Sequence, residues 1–158
     1  MEARVVYLVD YSQAVPILAQ WLFQEWGHRS VDGTAEGFAE ALRRRMNRDS
    51  LPLALVAIKE NQPVGTASLK IAEMEIRPQY EHWLGTVLVH EDYRGRGIGS
   101  LLIRAAEKEA SRLGVKDLYL YTRNPRNEAL YTRLGWRSIE RLMYQGRPAV
   151  IMTKRVAG

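Results

Sequence analysis

The stretch Tyr93-Arg94-Gly95-Arg96-Gly97-Ile98-Gly99-Ser100 concentrates residue types that bind an anion. Three glycines at alternate positions strip Cβ atoms from the chain, so backbone can close on a ligand. A helix starting there offers unpaired N–H groups and a partial positive charge. Arg94 and Arg96 add bidentate positive charge. Together these make a cradle for a diphosphate. The spacing is not that of the common nucleotide fingerprints. G-x-G-x-x-G needs a third glycine where Ser100 stands, and Asp117 precedes its strand instead of ending one. The Walker pattern is absent.

The neighbouring segments say what positions that stretch. Trp83–His90 is apolar and rich in β-branched residues, as a central strand should be. Gly97 to Leu113 reads as a helix closed by Gly114, and Leu118–Thr122 as the next strand. Asn127–Leu134 is a short helix ended by Gly135; Trp136–Tyr144 and Ala149–Arg155 form a hairpin across Gln145-Gly146-Arg147. Upstream, Arg4–Val9 is a strand, and Ser12 caps a helix from Gln13 to Trp26 that Gly27 ends. Thr34 starts a second helix over Ala35–Asn47, with Phe38, Leu42 and Met46 on one face. Leu53–Lys59 and Val64–Ile71 pair across a turn at Asn61-Gln62-Pro63, and Glu73–Glu81 is polar and irregular. The order is β-α-α-β-β-β-α-β-α-β-β. It predicts an α/β fold with a mixed sheet of about seven strands and helices on both faces, in which Trp83–His90 and Leu118–Thr122 are parallel.

Composition narrows the chemistry. The 158 residues make one domain at roughly 150 residues per domain. Absence of cysteine excludes disulfides, thiolate nucleophiles and thiolate metal sites. Three histidines, His28, His82 and His90, leave little for a transition-metal centre, and no metal is expected. No apolar run is long enough to span a membrane and no signal pattern opens the chain, so the cytoplasm is the expected location. Net charge is +5, and 18 of the 23 basic residues are Arg, which suits phosphate contacts. Arg43-Arg44-Arg45 with Arg48 reads as a solvated helix face. Without a recognition-helix motif, no nucleic-acid partner is expected.

Arg94-x-x-Gly97-x-Gly99 resembles the [QR]-x-x-G-x-[GA] motif of the GNAT acyl-CoA N-acetyltransferases. Downstream, Asn124, Asn127-Glu128-Ala129-Leu130-Tyr131 and Leu134-Gly135-Trp136 resemble that family's N-…-A-L-Y-x-x-x-G-[FW] segment. The element order along the whole chain is similar as well. The resemblance implies one GNAT domain over residues 1–158 and acetyl-CoA as cosubstrate. It further implies acetyl transfer to a small-molecule or peptide amine by direct attack in a ternary complex. Backbone of Val87, Leu88 and Val89 would pair with the pantetheine arm, and a Leu88 or Val89 N–H would face the thioester carbonyl. Arg94, Gly95, Arg96, Gly97, Ile98, Gly99 and Ser100 would hold the pyrophosphate. Asn124 would contact the arm, and Tyr131 would act as general acid to the departing thiolate. The family also admits monomers and homodimers.

The strand Trp83–Val89 carries no carboxylate, although many relatives place a glutamate there. Candidate bases are therefore Glu81 and His82 at the strand start, with Glu73 and Glu75 in the preceding loop, and a base acting through ordered water is equally open. The acceptor pocket is expected between the first two helices and Glu73–Trp83. Trp21, Trp26 and Trp83 are candidates to line it, although Trp21 and Trp26 sit on the apolar helix face and core packing is the favoured reading for both; the polar residues of Gln24-Glu25-Trp26-Gly27-His28 are candidates to read a substrate. That stretch, with Leu51-Pro52-Leu53 and the Trp83 strand, is similar to a bacterial GNAT subgroup and distantly resembles eukaryotic enzymes that acetylate actin N-termini. A non-catalytic acyl-CoA-binding module and a basic nucleic-acid-binding domain are the rival readings.

Overall fold

A computed structural model describes residues 2–27 and 33–157. Its elements are β1 (Arg4–Tyr7), α1 (Val15–Trp26), α2 (Ala35–Arg43), β2 (Leu53–Lys59), β3 (Gln62–Ile71), β4 (His82–Val89), α3 (Ile98–Arg112), β5 (Asp117–Thr122), α4 (Pro125–Arg133), β6 (Arg137–Tyr144) and β7 (Arg147–Arg155). The order is the one the periodicity predicts. Seven strands form one sheet in the order β1-β2-β3-β4-β5-β7-β6. Neighbours are antiparallel except β4 and β5, which are parallel.

β2 shows why the sheet needs cover on both faces. Its first six residues are all buried, the continuous apolar run of a strand with no solvent side. Leu53, Leu55 and Ala57 meet Leu102, Ile103 and Ala106 of α3 on one face, where Leu130 and Tyr131 of α4 also pack. Ala54, Val56 and Ile58 meet Leu18 and Leu22 of α1 and Phe38 and Leu42 of α2 on the other. Beyond those two helices, Met74 and Tyr80 from the β3–β4 loop pack with Trp83, Tyr119, Tyr121 and Tyr144. That loop is therefore more than the polar connection its composition suggests.

Several boundaries differ from expectation. The first strand stops at Tyr7 because fully buried Leu8 opens a 3-10 turn toward the core, with Tyr11 N–H donating to the Leu8 carbonyl at 2.9 Å. Ser12 does not cap α1; it opens a second 3-10 turn, and α1 begins at Val15 with Pro16 in its first turn. Thr34 does cap α2, accepting from Gly37 N–H at 2.9 Å. That helix ends at Arg43 rather than Asn47, since the Arg45 carbonyl is taken by Ala54 N–H of β2 at 2.8 Å. The β2–β3 turn is at Glu60-Asn61, both at positive φ, so Gln62 and Pro63 already belong to β3. The arginine cluster is not one solvated face. Arg43 pairs with Glu36 at 3.1 Å, Arg48 with Asp10, and Arg45 donates to Ser68 Oγ at 3.3 Å.

Candidate active site

β4 is the strand that matters, and two irregularities shape it. Ser68 pairs with Gly85 and Thr66 with Leu88, so Thr86 and Val87 share the place opposite Ala67. This is a β-bulge, with Thr86 at a φ of +45°. The extra residue resets the alternation beyond it: Val87 and Val89 pack on the α3 face, Leu88 on the α1–α2 face. The second irregularity is on the other edge. β4 and β5 share one register pair, Trp83 with Tyr119. Past that pair the two strands run on without a ladder between them.

Backbone direction then follows. His90 N–H donates to the Val64 carbonyl at 2.9 Å, and the Leu88 carbonyl lies 2.8 Å from where a Cβ on Gly65 would stand. Positions 88 and 90 therefore address β3. By strand alternation the peptide groups of Val87 and Val89 address the parted side. Of the three residues expected to pair with a ligand arm, Leu88 is turned away, and Val87 and Val89 carry the free edge.

The cradle stands at the end of this edge. A 3-10 turn over Glu91–Tyr93 leads into Arg94, whose Nε donates to the Val89 carbonyl at 3.0 Å. Arg96 lies over the Tyr93 ring at 5.6 Å. Gly97 caps α3 in the left-handed conformation at a φ of +81°, and among the described residues no side-chain cap bond is made there. Gly95 and Gly97 have nothing within 4 Å of a would-be Cβ, so the concave side is open. Buried Ile98 anchors the helix start, a Cβ on Gly99 would stand 3.8 Å from Val89 Cγ2, and Ser100 is half-buried in the first turn.

The second motif has a different physical basis. Asn124 caps α4, its Oδ1 accepting from Arg126 N–H at 2.8 Å, and it is exposed. Gly135, at a φ of +99°, closes the helix in a Schellman turn: Gly135 N–H donates to Thr132 and Trp136 N–H to Tyr131, at 3.1 and 3.0 Å. The same turn sets Trp136 against Tyr131, ring centroids 5.9 Å apart and edge to face. Trp136 is fixed in turn by its Nε1, which donates to buried Glu107 at 3.0 Å, while Lys154 donates to the same carboxylate at 2.7 Å. Tyr131 thus sits rigidly on the α3 face with Val87, Val89 and Tyr93. Burial pushes its phenol up to about 12, so it holds its proton throughout the neutral range.

The candidate bases separate. Glu81 and His82 lie beside each other at 3.8 Å, before the Trp83–Tyr119 pair and therefore on the closed side of the parting. At about 3.3 Å per residue, His82 is roughly 16 Å along the strand from Val87. Glu75 accepts from the Tyr144 hydroxyl at 2.8 Å; its own backbone N–H and that hydroxyl hold its carboxyl below the usual range. Glu73 pairs with Lys70. Its Oε1 is 3.3 Å from Lys70 Nζ, which lies 3.3 Å from where a Cβ on Gly85 would stand. Lys70 thus occupies space that a side chain at position 85 would fill. Neither that arrangement nor the bulge has a signal in the local sequence pattern.

Of the expected pocket walls, Trp83 is core: it is fully buried and donates to the Tyr80 carbonyl at 2.7 Å. Trp26 packs at the edge of the α1–α2 cluster. Trp21 does line a cavity, of about 150 Å³, together with Gln24, Glu25, Leu88, His90 and Arg94. Its ring meets His90 at 4.7 Å. His28 lies outside the described residues. A larger open groove, about 590 Å³, runs between α3 and the end of β7 and contains none of the expected site residues. Among the described residues no helix is long and apolar enough to cross a membrane.

Comparison with solved structures supports this architecture. An acetyltransferase of the GNAT family from Streptococcus pneumoniae superposes with a TM-score of 0.72 at 20% identity, covering 98% of this chain and 99% of the other. An aminoglycoside 6'-N-acetyltransferase complexed with coenzyme A gives 0.75 at 19%, covering 99% and 97%. The ribosomal-protein-S18-alanine N-acetyltransferase from Escherichia coli gives 0.71 at 22%, covering 99% and 96%. At these identities the likeness speaks for the fold. The family model of the GNAT acetyltransferases matches residues 9–136, which span the β4 edge, the cradle and the α4 turn. On that match the chain belongs to the acetyltransferase (GNAT) family.

Proposed function

We propose that the chain transfers the acetyl group of acetyl-CoA to a primary amine by direct attack in a ternary complex. The observation that carries this reading is the juxtaposition of an open, doubly arginine-flanked helix N-terminus with a β4 edge whose ladder to β5 stops at Trp83. The first suits a diphosphate, and the second suits an extended amide-bearing arm, which adds to β4 as another strand would. Arg94, Gly95, Arg96, Gly97, Ile98, Gly99 and Ser100 hold the diphosphate, the backbone of Val87 and Val89 pairs with the arm, and one of their N–H groups faces the thioester carbonyl. Asn124 borders the arm from the start of α4.

The chemistry needs no covalent enzyme intermediate, in keeping with a chain that lacks cysteine. The amine nitrogen attacks the acetyl carbon, the C–S bond breaks and the thiolate leaves. Tyr131 supports that thiolate as a hydrogen-bond donor. A phenol near 12 gives up its proton reluctantly to a thiol of ordinary pKa about 8.5, so donation outweighs full transfer. For the amine proton, Glu73 has the better position; Glu81 and His82 stand on the far side of the strand contact. The acceptor enters from the α1–α2 side, where Trp21, Gln24 and Glu25 border the cavity over Leu88.

A second reading, a module that binds acyl-CoA without turnover, is favoured by one observation: Gly85, Thr86 and Val87 place no carboxylate on the strand itself. Both readings expect saturable acetyl-CoA binding with micromolar affinity in titration calorimetry. Absence of any binding heat at high micromolar acetyl-CoA would contradict both.

A further inference from the structure

Two local costs meet at Thr86. Its φ of +45° is a left-handed conformation that a β-branched residue seldom adopts. Its Oγ1 is buried without a hydrogen-bond partner, the sole such side-chain atom among the described residues. Valine would fill the same volume without stranding a hydroxyl, and glycine would take the backbone without strain. The ladder to β3 resumes on either side, at Ser68–Gly85 and Thr66–Leu88, so the pairing itself requires no hydroxyl here. Both costs fall a few residues past Trp83, where β4 leaves β5, and directly before Val87. Strain and an orphaned polar group at such a place mark a group held ready for a ligand.

Which part of the ligand it meets follows from direction. A diphosphate at Gly95–Gly97 fixes one end of the arm at the open end of the β4 edge. The arm then runs back along Val89 and Val87, and its acyl end arrives beside Thr86, where the strands converge. The thioester carbonyl oxygen is an acceptor only, and a hydroxyl with no other partner is free to donate to it.

We propose that the Thr86 hydroxyl donates a hydrogen bond to the acyl carbonyl oxygen, beside the β4 backbone N–H; this rests on the acyl-transfer reading above. As the amine nitrogen bonds to the carbonyl carbon, the C=O π pair moves onto oxygen, where Thr86 and the backbone N–H stabilise it. When the carbonyl reforms, the C–S bond breaks and its electron pair leaves on sulfur. The amine proton passes to the base, and the thiolate takes one from solvent. Thr86 keeps its own proton throughout.

The test compares Thr86→Val and Thr86→Ser with the wild type, using acetyl-CoA and CoA as calorimetric ligands and melting temperature of the ligand-free protein. CoA lacks the acyl carbonyl and serves as the control. Thr86→Val should melt higher than wild type, since the orphaned hydroxyl is gone. It should bind acetyl-CoA about fivefold more weakly with CoA affinity unchanged, the size of one net hydrogen bond. Thr86→Ser should bind both ligands as the wild type does. Equal affinities of wild type and Thr86→Val for acetyl-CoA, or an equal loss for both ligands, would overturn the inference. Should Thr86→Val not fold, Thr86→Ala makes the same comparison with the same outcomes. A wild type that binds neither ligand overturns the acyl-transfer reading, which is a separate result.

Discussion

Replacing Tyr131 by phenylalanine is expected to slow acetyl transfer about 100-fold while changing acetyl-CoA affinity less than twofold, the pattern of a donor that acts on charge developing in the transition state. The ring is held by the Schellman turn at Gly135 and by the edge of Trp136, and phenylalanine preserves both contacts, so the substitution removes the hydroxyl and little else. Burial raises the phenol to about 12, which sets the sign of the pH dependence. The donating form is the protonated one, and it persists well above neutrality. Wild-type turnover should therefore rise with pH as the acceptor amine loses its proton, and show no fall from Tyr131 ionisation below about pH 11. The variant should show the same rise at a uniformly lower rate. Steady-state kinetics across pH for the two proteins checks both points. A variant with wild-type kcat would remove Tyr131 from the mechanism.

Gly97→Ala should weaken acetyl-CoA and CoA alike, by about 10- to 100-fold, the loss of one or two charge-assisted hydrogen bonds. The protein itself has room for the methyl group, since nothing lies within 4 Å of it. What alanine meets is a φ of +81°, at a cost of about 1–2 kcal/mol, and the space that a diphosphate would fill. The folded protein should thus survive with a slightly lower melting temperature and a damaged cradle. Loss of affinity for both ligands distinguishes this variant from Thr86→Val, which should affect the acylated ligand alone. Calorimetric titration of the two ligands provides the measurement; unchanged CoA affinity would place the diphosphate elsewhere.

The parts of this site that were legible in the sequence are those built from contiguous residues. The cradle is one loop and one helix start, so Arg94, Gly97 and Gly99 appear at fixed spacing wherever the physics of anion binding requires them. The Leu134-Gly135-Trp136 run is legible for the same reason, as a helix stop that fixes Tyr131 three residues before the cap. Element order was also readable, because hydrophobic period and turn residues act locally. What escaped depends on partners distant in the chain. Leu8 turns out of its strand because the core beneath it is made by other segments, and α2 ends early because β2 claims the Arg45 carbonyl. The bulge at Thr86 is a property of register with β3, and Trp83–Val89 read alone is a regular strand. Nor does spacing reveal that Lys70 packs over Gly85 and pairs with Glu73, or that His82 sits on the closed side of the β4–β5 contact.

Thiol release from acetyl-CoA across a panel of primary amines, with mass detection of the acetylated product, tests direct acetyl transfer by this chain. Release should depend on the amine, with one acetylated amine for each free thiol and no acylated protein at any time. Saturable acetyl-CoA binding without amine-dependent release from any panel member would contradict it and leave the chain an acyl-CoA-binding module.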